Sequence, residues 1–205
     1  MYSSDIGFTP TVKAIQSRKG SRRGYASMEE GGGWKTEVTE DLAGYIANQR
    51  SFFLSTVNAD GQPYIQHRGG PAGFLKVLDN RRLGFADFRG NRQYISQGNL
   101  LDNSKAFIFL IDYVQKTRIK IWGTAEVIED NPELVAQLMQ YDQPYRAAPE
   151  QAIIFTIDAW DANCPQHIPA RIDVEWVKSA LDEKDQKIAM LEAHIKDLQG
   201  SVALS

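Results

Sequence analysis

The sequence predicts a mainly β fold with flanking helices: a closed or nearly closed antiparallel barrel of six to seven strands, followed by a C-terminal coiled-coil helix. Two observations predict the barrel. Between residues 51 and 159, short apolar or alternating stretches are separated by turn residues at hairpin spacing, and the helical patterns among them are brief. A third observation sets the tail apart: from Val177 onward, apolar residues recur at steps of four and three. The expected division is an N-terminal arm over residues 1–38, a barrel domain over 39–171 and a helix over 172–205.

In chain order, residues 1–33 are weakly hydrophobic, with Lys13, Arg18, Lys19, Arg22 and Arg23 and the run Gly31-Gly32-Gly33. They read as a surface arm with a short helix near Val12 to Gln16, or as an arm whose Arg22 or Arg23 folds over an anionic site. Thr39 can cap a helix reaching about Asn48, with Glu40 and Asp41 in its first turn. Ser51 to Val57 is a strand, Asn58-Ala59-Asp60-Gly61 a hairpin turn, and Pro63 to Gln66 the return strand. Phe74 to Leu78 and Leu83 to Ala86 form a second strand pair. Gly90 to Gln97 reads as a short helix entered through Asn91.

Lys105 to Asp112 is almost continuously apolar, as expected of a strand buried on both faces or at a barrel centre. In Thr117 to Ile128, Ile119, Ile121 and Gly123 take one side and Arg118, Lys120 and Trp122 the other. Asn131-Pro132-Glu133 starts a helix running to about Tyr141. Gln151 to Ala159 is the last strand. In the tail, Asp173 is a candidate cap. Ile188 and Ile195 share one heptad position, while Val177, Leu191 and Leu198 share the other, as in a parallel two-stranded coiled coil. Packing of this helix on its own barrel is the alternative.

Composition narrows the function. A net charge of −3 argues against a general nucleic-acid binder. No apolar run reaches the roughly 18 residues of a membrane span. Cys164 is the only cysteine, which excludes an intrachain disulfide and points to a cytoplasmic setting. No histidine, cysteine or carboxylate cluster has metal-ligand spacing, and there is no G-x-S-x-G elbow, P-loop or dinucleotide fingerprint.

Four segments carry polar groups that a plain barrel does not need. Gln66-His67-Arg68-Gly69-Gly70-Pro71 follows a strand. Glycine packs nothing, so two together suggest a close backbone approach, here by an anionic ligand beside Arg68. Asp87-Phe88-Arg89-Gly90-Asn91-Arg92-Gln93-Tyr94 passes from strand to helix, where free backbone N–H groups and Arg92 suit a phosphate. Arg118 and Lys120 lie on one face of a central strand, as site residues or as its wetted side. Asn163-Cys164-Pro165-Gln166-His167 is a constrained loop in which His167 could activate Cys164. His67 and His167 read as structural hydrogen-bonders rather than metal ligands, and either is a candidate proton donor.

Taken in order, these segments resemble the FMN-binding split barrel of the pyridoxamine 5′-phosphate oxidase superfamily, over roughly Thr39 to Arg171. The resemblance rests on Phe85-Ala86-Asp87 followed by Gly90-Asn91-Arg92-Gln93, then on Arg118-Ile119-Lys120-Ile121-Trp122-Gly123-Thr124-Ala125-Glu126. The Gln166-His167-Ile168 loop is similar to an oxidase-related branch. The resemblance implies a homodimer with FMN at the subunit interface. It places Gln66, His67, Arg68 and Gly69 along the ring and ribityl chain, with Ala86 and Asp87 beside the ribityl. Asn91, Arg92 and Gln93 would hold the phosphate, and Arg118, with Lys120 and Gln166, would complete the site. The chain departs from true pyridoxamine phosphate oxidases in lacking their lysine after Arg68 and in having Gln93 for a lysine. An oxidoreductase acting on another small molecule is therefore expected. A non-catalytic flavin or tetrapyrrole binder is the alternative, and an assembly protein with an empty barrel a third class.

Overall fold

The computed structural model describes residues 1–163, 166–172 and 174–202. Cys164, the Asp173 cap and the side chains of Asn163 and Leu198 lie outside the described residues. The chain divides into two compact units, one of Met1–Asp112 with Thr117–Pro165, the other of Tyr113–Lys116 with the residues from Gln166 onward.

The first unit opens with a 3-10 turn, Ser3–Ile6, then helices α1 (Pro10–Lys19), α2 (Arg22–Glu30) and α3 (Glu40–Ala47). Thr9 caps α1 by accepting from the Val12 N–H at 3.3 Å, and Thr39 caps α3 by accepting from Leu42 at 3.3 Å. The arm is thus more ordered than a surface strap with one short helix. Arg22 is not available to cover an anionic site, because its guanidinium pairs with Glu29 and donates to Gln16 Oε1 at 2.9 Å.

Seven strands follow: β1 (Ser51–Val57), β2 (Pro63–Gly69), β3 (Lys76–Val77), β4 (Arg82–Phe88), β5 (Lys105–Asp112), β6 (Thr117–Ile128) and β7 (Pro149–Asn163). Helix α4 (Ile95–Asp102) precedes β5, and α5 (Pro132–Leu138), capped by Asn131 on Leu134 N–H at 2.9 Å, precedes β7. Every strand pair is antiparallel, in the order β2-β1-β5-β6-β7-β4-β3. The β1–β2 hairpin turns at Gly61, φ +84°, with the Gln62 N–H donating to Asn58 Oδ1 at 2.8 Å.

The sheet curls into a split barrel. In a flat sheet with strands roughly 4.8 Å apart, β1 and β4 would stand about 19 Å from each other. Instead Phe52 on β1 meets Phe85 on β4 edge to face, ring centroids 5.1 Å apart. The core inside holds Phe52, Leu54, Leu83, Phe85, Ile108, Ile121, Ile153 and Phe155. β5 and β6 bury alternate residues there, so the apolar β5 has one buried face and one half-buried face carrying Phe107, Phe109 and Ile111.

The glycine block has a packing explanation that its composition hides. β2 continues through Gly69, and a Cβ on Gly70 would sit 2.7 Å from the Cβ and ring of Phe74. The group approaching that backbone closely is the chain's own phenylalanine.

The second unit contains helix α6 (Val174–Val202). On it Val177, Leu181, Ile188, Leu191 and Ile195 stay between 45% and 55% exposed. Among the described residues, no helix is long and apolar enough to cross a membrane.

Candidate functional site

β2, at one end of the strand order, and β4, next to the other end, face each other across the split, and the polar residues that bridge it form the candidate site. On β2 the side chains alternate: Pro63, Ile65 and His67 are exposed, whereas Tyr64, Gln66 and Arg68 are half-buried and turn toward the split. Arg68 pairs with Asp87 on β4, and each side chain keeps less than 15% of its surface in water, 13% and 14% respectively. The Arg68 guanidinium also lies 5.9 Å from the Phe85 ring centroid. Its Nε is buried without a hydrogen-bond partner. An orphaned buried donor is costly, about 1–3 kcal/mol, so this nitrogen marks a place where an acceptor is wanted.

Asp87 is held from a second side. Gln151 Nε2 on β7 donates to Asp87 Oδ2 at 3.0 Å and reaches Gln97 Oε1 at 3.4 Å. Ser96 Oγ on α4 donates to Gln66 Oε1 at 3.0 Å, tying helix to strand across the split. Behind these, Asn99 Nδ2 donates to Thr56 Oγ1 at 2.9 Å, both residues buried. A cavity of about 200 Å³ runs between Gln66, Arg68, Gly69 and Phe74 on one side and Phe85 and Asp87 on the other.

Between β4 and α4, the segment Gly90–Tyr94 is a loop rather than the first turn of a helix. The helix expected from Gly90 begins five residues later, at Ile95. Arg92 (φ +59°) and Tyr94 (φ +53°) are left-handed, a conformation that breaks the helical run and is unfavourable for non-glycine residues. Asn91 stabilises the bend by accepting from the Gln93 N–H at 3.2 Å. Tyr94 stands at the N-cap of α4 and makes no side-chain cap, which leaves the first N–H groups of that helix without the usual acceptor. Arg89 precedes this loop and Arg92 lies in it; both side chains are 58% exposed and share Glu150, Arg89 Nε at 2.9 Å and Arg92 Nε at 3.7 Å from Oε1.

The structure therefore gathers Gln66, Arg68, Gly69, Asp87, Asn91, Arg92 and Gln93 around the split. Ala86 borders the same cavity, while its methyl group packs with Leu138 and Ala152. His67, on the exposed face of β2 and edge-on to Phe53 at 5.5 Å, also borders this cavity. Arg118 and Lys120 lie on the sheet face opposite the core, where Lys120 pairs with Asp161 at 3.0 Å. Gln166 and His167 belong to the second unit, His167 exposed with φ +62°. Tyr64, Ser96, Gln97, Glu150 and Gln151 complete the site without having been anticipated. Only Tyr64 had a signal, since it shares the two-residue period of Gln66 and Arg68.

A family model described as Pyridoxamine 5′-phosphate oxidase matches residues 38–164. No curated protein matches the chain significantly. Among solved structures, the chain is similar to HupZ of Group A Streptococcus, at 20% identity and TM-score 0.49 over 66% of this chain and 99% of that one. It is similar to an FMN-binding protein from Syntrophomonas wolfei, at 12% identity and TM-score 0.47 over 72% and 97%. A third similar structure is a protein related to general stress protein 26 from Clostridium acetobutylicum, at 14% identity and TM-score 0.44 over 68% and 99%.

Proposed function

This chain belongs to the pyridoxamine 5′-phosphate oxidase family, and we propose on that premise that it is a homodimeric FMN-binding oxidoreductase acting on a small molecule. The observation that carries the reading is the buried, partnerless Nε of Arg68, set in a split whose far end is an arginine-bearing loop. The residues present fit the group. The loop Gly90–Tyr94 with Arg92 suits a phosphate: two left-handed residues turn the backbone, and the uncapped start of α4 supplies N–H donors. Arg68 and Gln66 lie farther along the split, where a polyhydroxylated chain would find both donors and acceptors.

FMN, when bound, supplies hydride and electron transfer. The protein's share is placement and charge. Asp87, braced by Gln151, fixes the Arg68 guanidinium, so that its Nε is presented to a ligand without a search over rotamers. Arg92, now in a long and solvent-screened pair with Glu150, would hold the phosphate. The partner protomer would bring Arg118 and the half-buried apolar face of β5 to the interface.

The test is the absorption spectrum of the purified chain after gel filtration, followed by titration of the apoprotein with FMN. Arg92→Ala should weaken FMN roughly 10- to 100-fold, as expected for one charge-assisted contact of about 1.5–3 kcal/mol. A colourless protein that takes up no FMN would end the proposal. A haem-type spectrum would transfer the site to a tetrapyrrole. Bleaching of the bound flavin by a reduced nicotinamide would separate an enzyme from a carrier.

A further inference from the structure

We infer that the N-terminal arm builds a second ligand site, an aromatic-walled cavity that takes a planar aromatic anion. The cavity holds about 750 Å³, which is in the size range of small-molecule pockets. Phe8, Tyr25 and Trp34 of the arm form one wall, and Tyr45, Ile119 and Trp160 form the other. None of the split residues described above lines it. The arm precedes residues 38–164, so the wall it forms lies outside the family region.

The arm is fastened as a wall needs to be. Glu29, with a side chain only 1% exposed, accepts from Ser4 Oγ at 3.1 Å, pairs with Lys13 at 3.1 Å and pairs with Arg22. Ser3 Oγ donates to the Trp34 carbonyl at 2.5 Å. A Cβ at Gly7 would lie 2.7 Å from the Trp34 ring, so glycine there lets the indole settle against the backbone. Trp34 stacks on Trp122 at 4.4 Å and 15°, and Phe8 packs against Trp34 at 4.9 Å and Tyr25 at 5.0 Å. Five fixed contacts on one tryptophan and its neighbours define a shaped surface rather than a loosely draped strap.

Charge decides which aromatic guest fits. The cation positions over the indoles are already filled by the chain's own lysines: Lys35 Nζ stands 5.1 Å from the Trp160 centroid, and Lys120 Nζ 5.6 Å from Trp34 and 5.3 Å from Trp122. A cationic guest would meet like charge. Lys120 is neutralised by Asp161 at 3.0 Å, whereas Lys35 makes no ion pair among the described residues and is the group left to hold an anion. Asp41 opposes it from the exposed rim. Tyr45 adds no charge: burial, reinforced by Asp112, pushes its phenol above the usual range, and it donates to the Thr117 carbonyl at 3.1 Å.

The test titrates the full chain with anilinonaphthalene sulfonate, read by energy transfer from tryptophan, with proflavine as the cationic counterpart. One saturable dye per chain is expected. Lys35→Glu and Tyr25→Ala should each weaken it at least about tenfold, Asp41→Asn should tighten it, and proflavine should bind far more weakly than the sulfonate. Arg92→Ala, which lies in the split, should leave dye binding unchanged whether or not FMN binding is lost, so the two sites stand or fall separately. The proposal is overturned if Lys35→Glu binds the dye like the wild type, if Arg92→Ala abolishes dye binding, or if proflavine binds as tightly. Should Tyr25→Ala loosen the arm, Lys35→Glu decides alone, because that side chain is exposed and its melting curve should match the wild type.

Discussion

Glu150 governs how readily the arginine-bearing loop gives itself to an anion. Its carboxylate holds Arg89 at 2.9 Å and draws Arg92 from 3.7 Å, yet both guanidinium groups are more than half exposed. Such pairs are worth about 0–1 kcal/mol. Glu150→Gln should therefore leave unfolding free energy within about 0.5 kcal/mol while removing a competitor for both arginines. FMN affinity should rise several-fold and become more salt-sensitive; calorimetric titration at two ionic strengths checks this, and unchanged affinity would contradict the phosphate role of the loop. Gly70 makes the opposite kind of prediction. Gly70→Ala forces a methyl group against Phe74 and should destabilise the chain by about 1–3 kcal/mol in urea denaturation, without touching the arginines. This glycine also shows what local sequence carries. Two adjacent glycines announce a close approach, but the ring that approaches Gly70 comes from four residues on, and only the packed fold identifies it. His67 was separated from Arg68 by the two-residue strand period, a signal present in the sequence once β2 is extended to Gly69.

At the scale of elements, strands were legible where burial alternates: β1, β5 and β6 begin and end where their apolar pattern and turn residues place them. The α4 boundary was not. Asn91 and Gly90 look like a helix entrance, but the left-handed Arg92 and Tyr94 postpone the helix, and nothing in a single sequence marks a non-glycine residue for that strained region. The arm was underread for a related reason. Its helices carry little apolar surface and are held by the buried Glu29 cluster, whose partners are up to 25 residues apart in sequence. That cluster has a pH signature. Burial alone would raise the Glu29 carboxyl, but Arg22, Lys13 and Ser4 together outweigh it and lower the pKa below its ordinary value of 4.5. A depressed carboxyl contributes stability that is fully present above the unfolded pKa and lost as pH falls through the folded one. Amide protection in α1 and α2, corrected for the intrinsic pH dependence of exchange, should thus stay high at neutral pH and fall only below about pH 4.5. Glu29→Gln should show reduced protection in these helices already at pH 7 and a smaller acid step, the remainder coming from Asp5, whose carboxyl Lys13 also holds below its ordinary range. An acid step of undiminished size in that variant would place the titration outside Glu29.

The whole molecule presents two apolar surfaces that one chain leaves uncovered. The outer face of β1, β2 and β5 carries Phe53, Ile65, Phe107 and Phe109, with Ile65 62% exposed, and it suits the protomer contact of the proposed dimer. The other surface is the stripe on α6. Here the heptad pattern read from sequence meets an exposed face in the structure: Leu181, Ile188 and Ile195 at one position, Val177 and Leu191 at the other, each about half in water. In a parallel pair with this register, Lys187 at g faces the Glu192 position of the partner helix, an attractive contact repeated on both sides of the seam. Lys184 interrupts the apolar seam and lowers its stability, so about three heptads would reinforce a dimer rather than make one. Truncation after Arg171 should accordingly preserve a dimer at high concentration but shift its dissociation to roughly tenfold higher protein concentration in analytical ultracentrifugation. Its melting temperature should also depend on concentration more steeply than that of the full chain. The double reversal Lys187→Glu with Glu192→Lys should restore full-length behaviour, whereas Lys187→Glu alone should mimic part of the truncation. If truncation leaves both dimer mass and stability unchanged, the helix does not pair, and the barrel face alone joins the protomers.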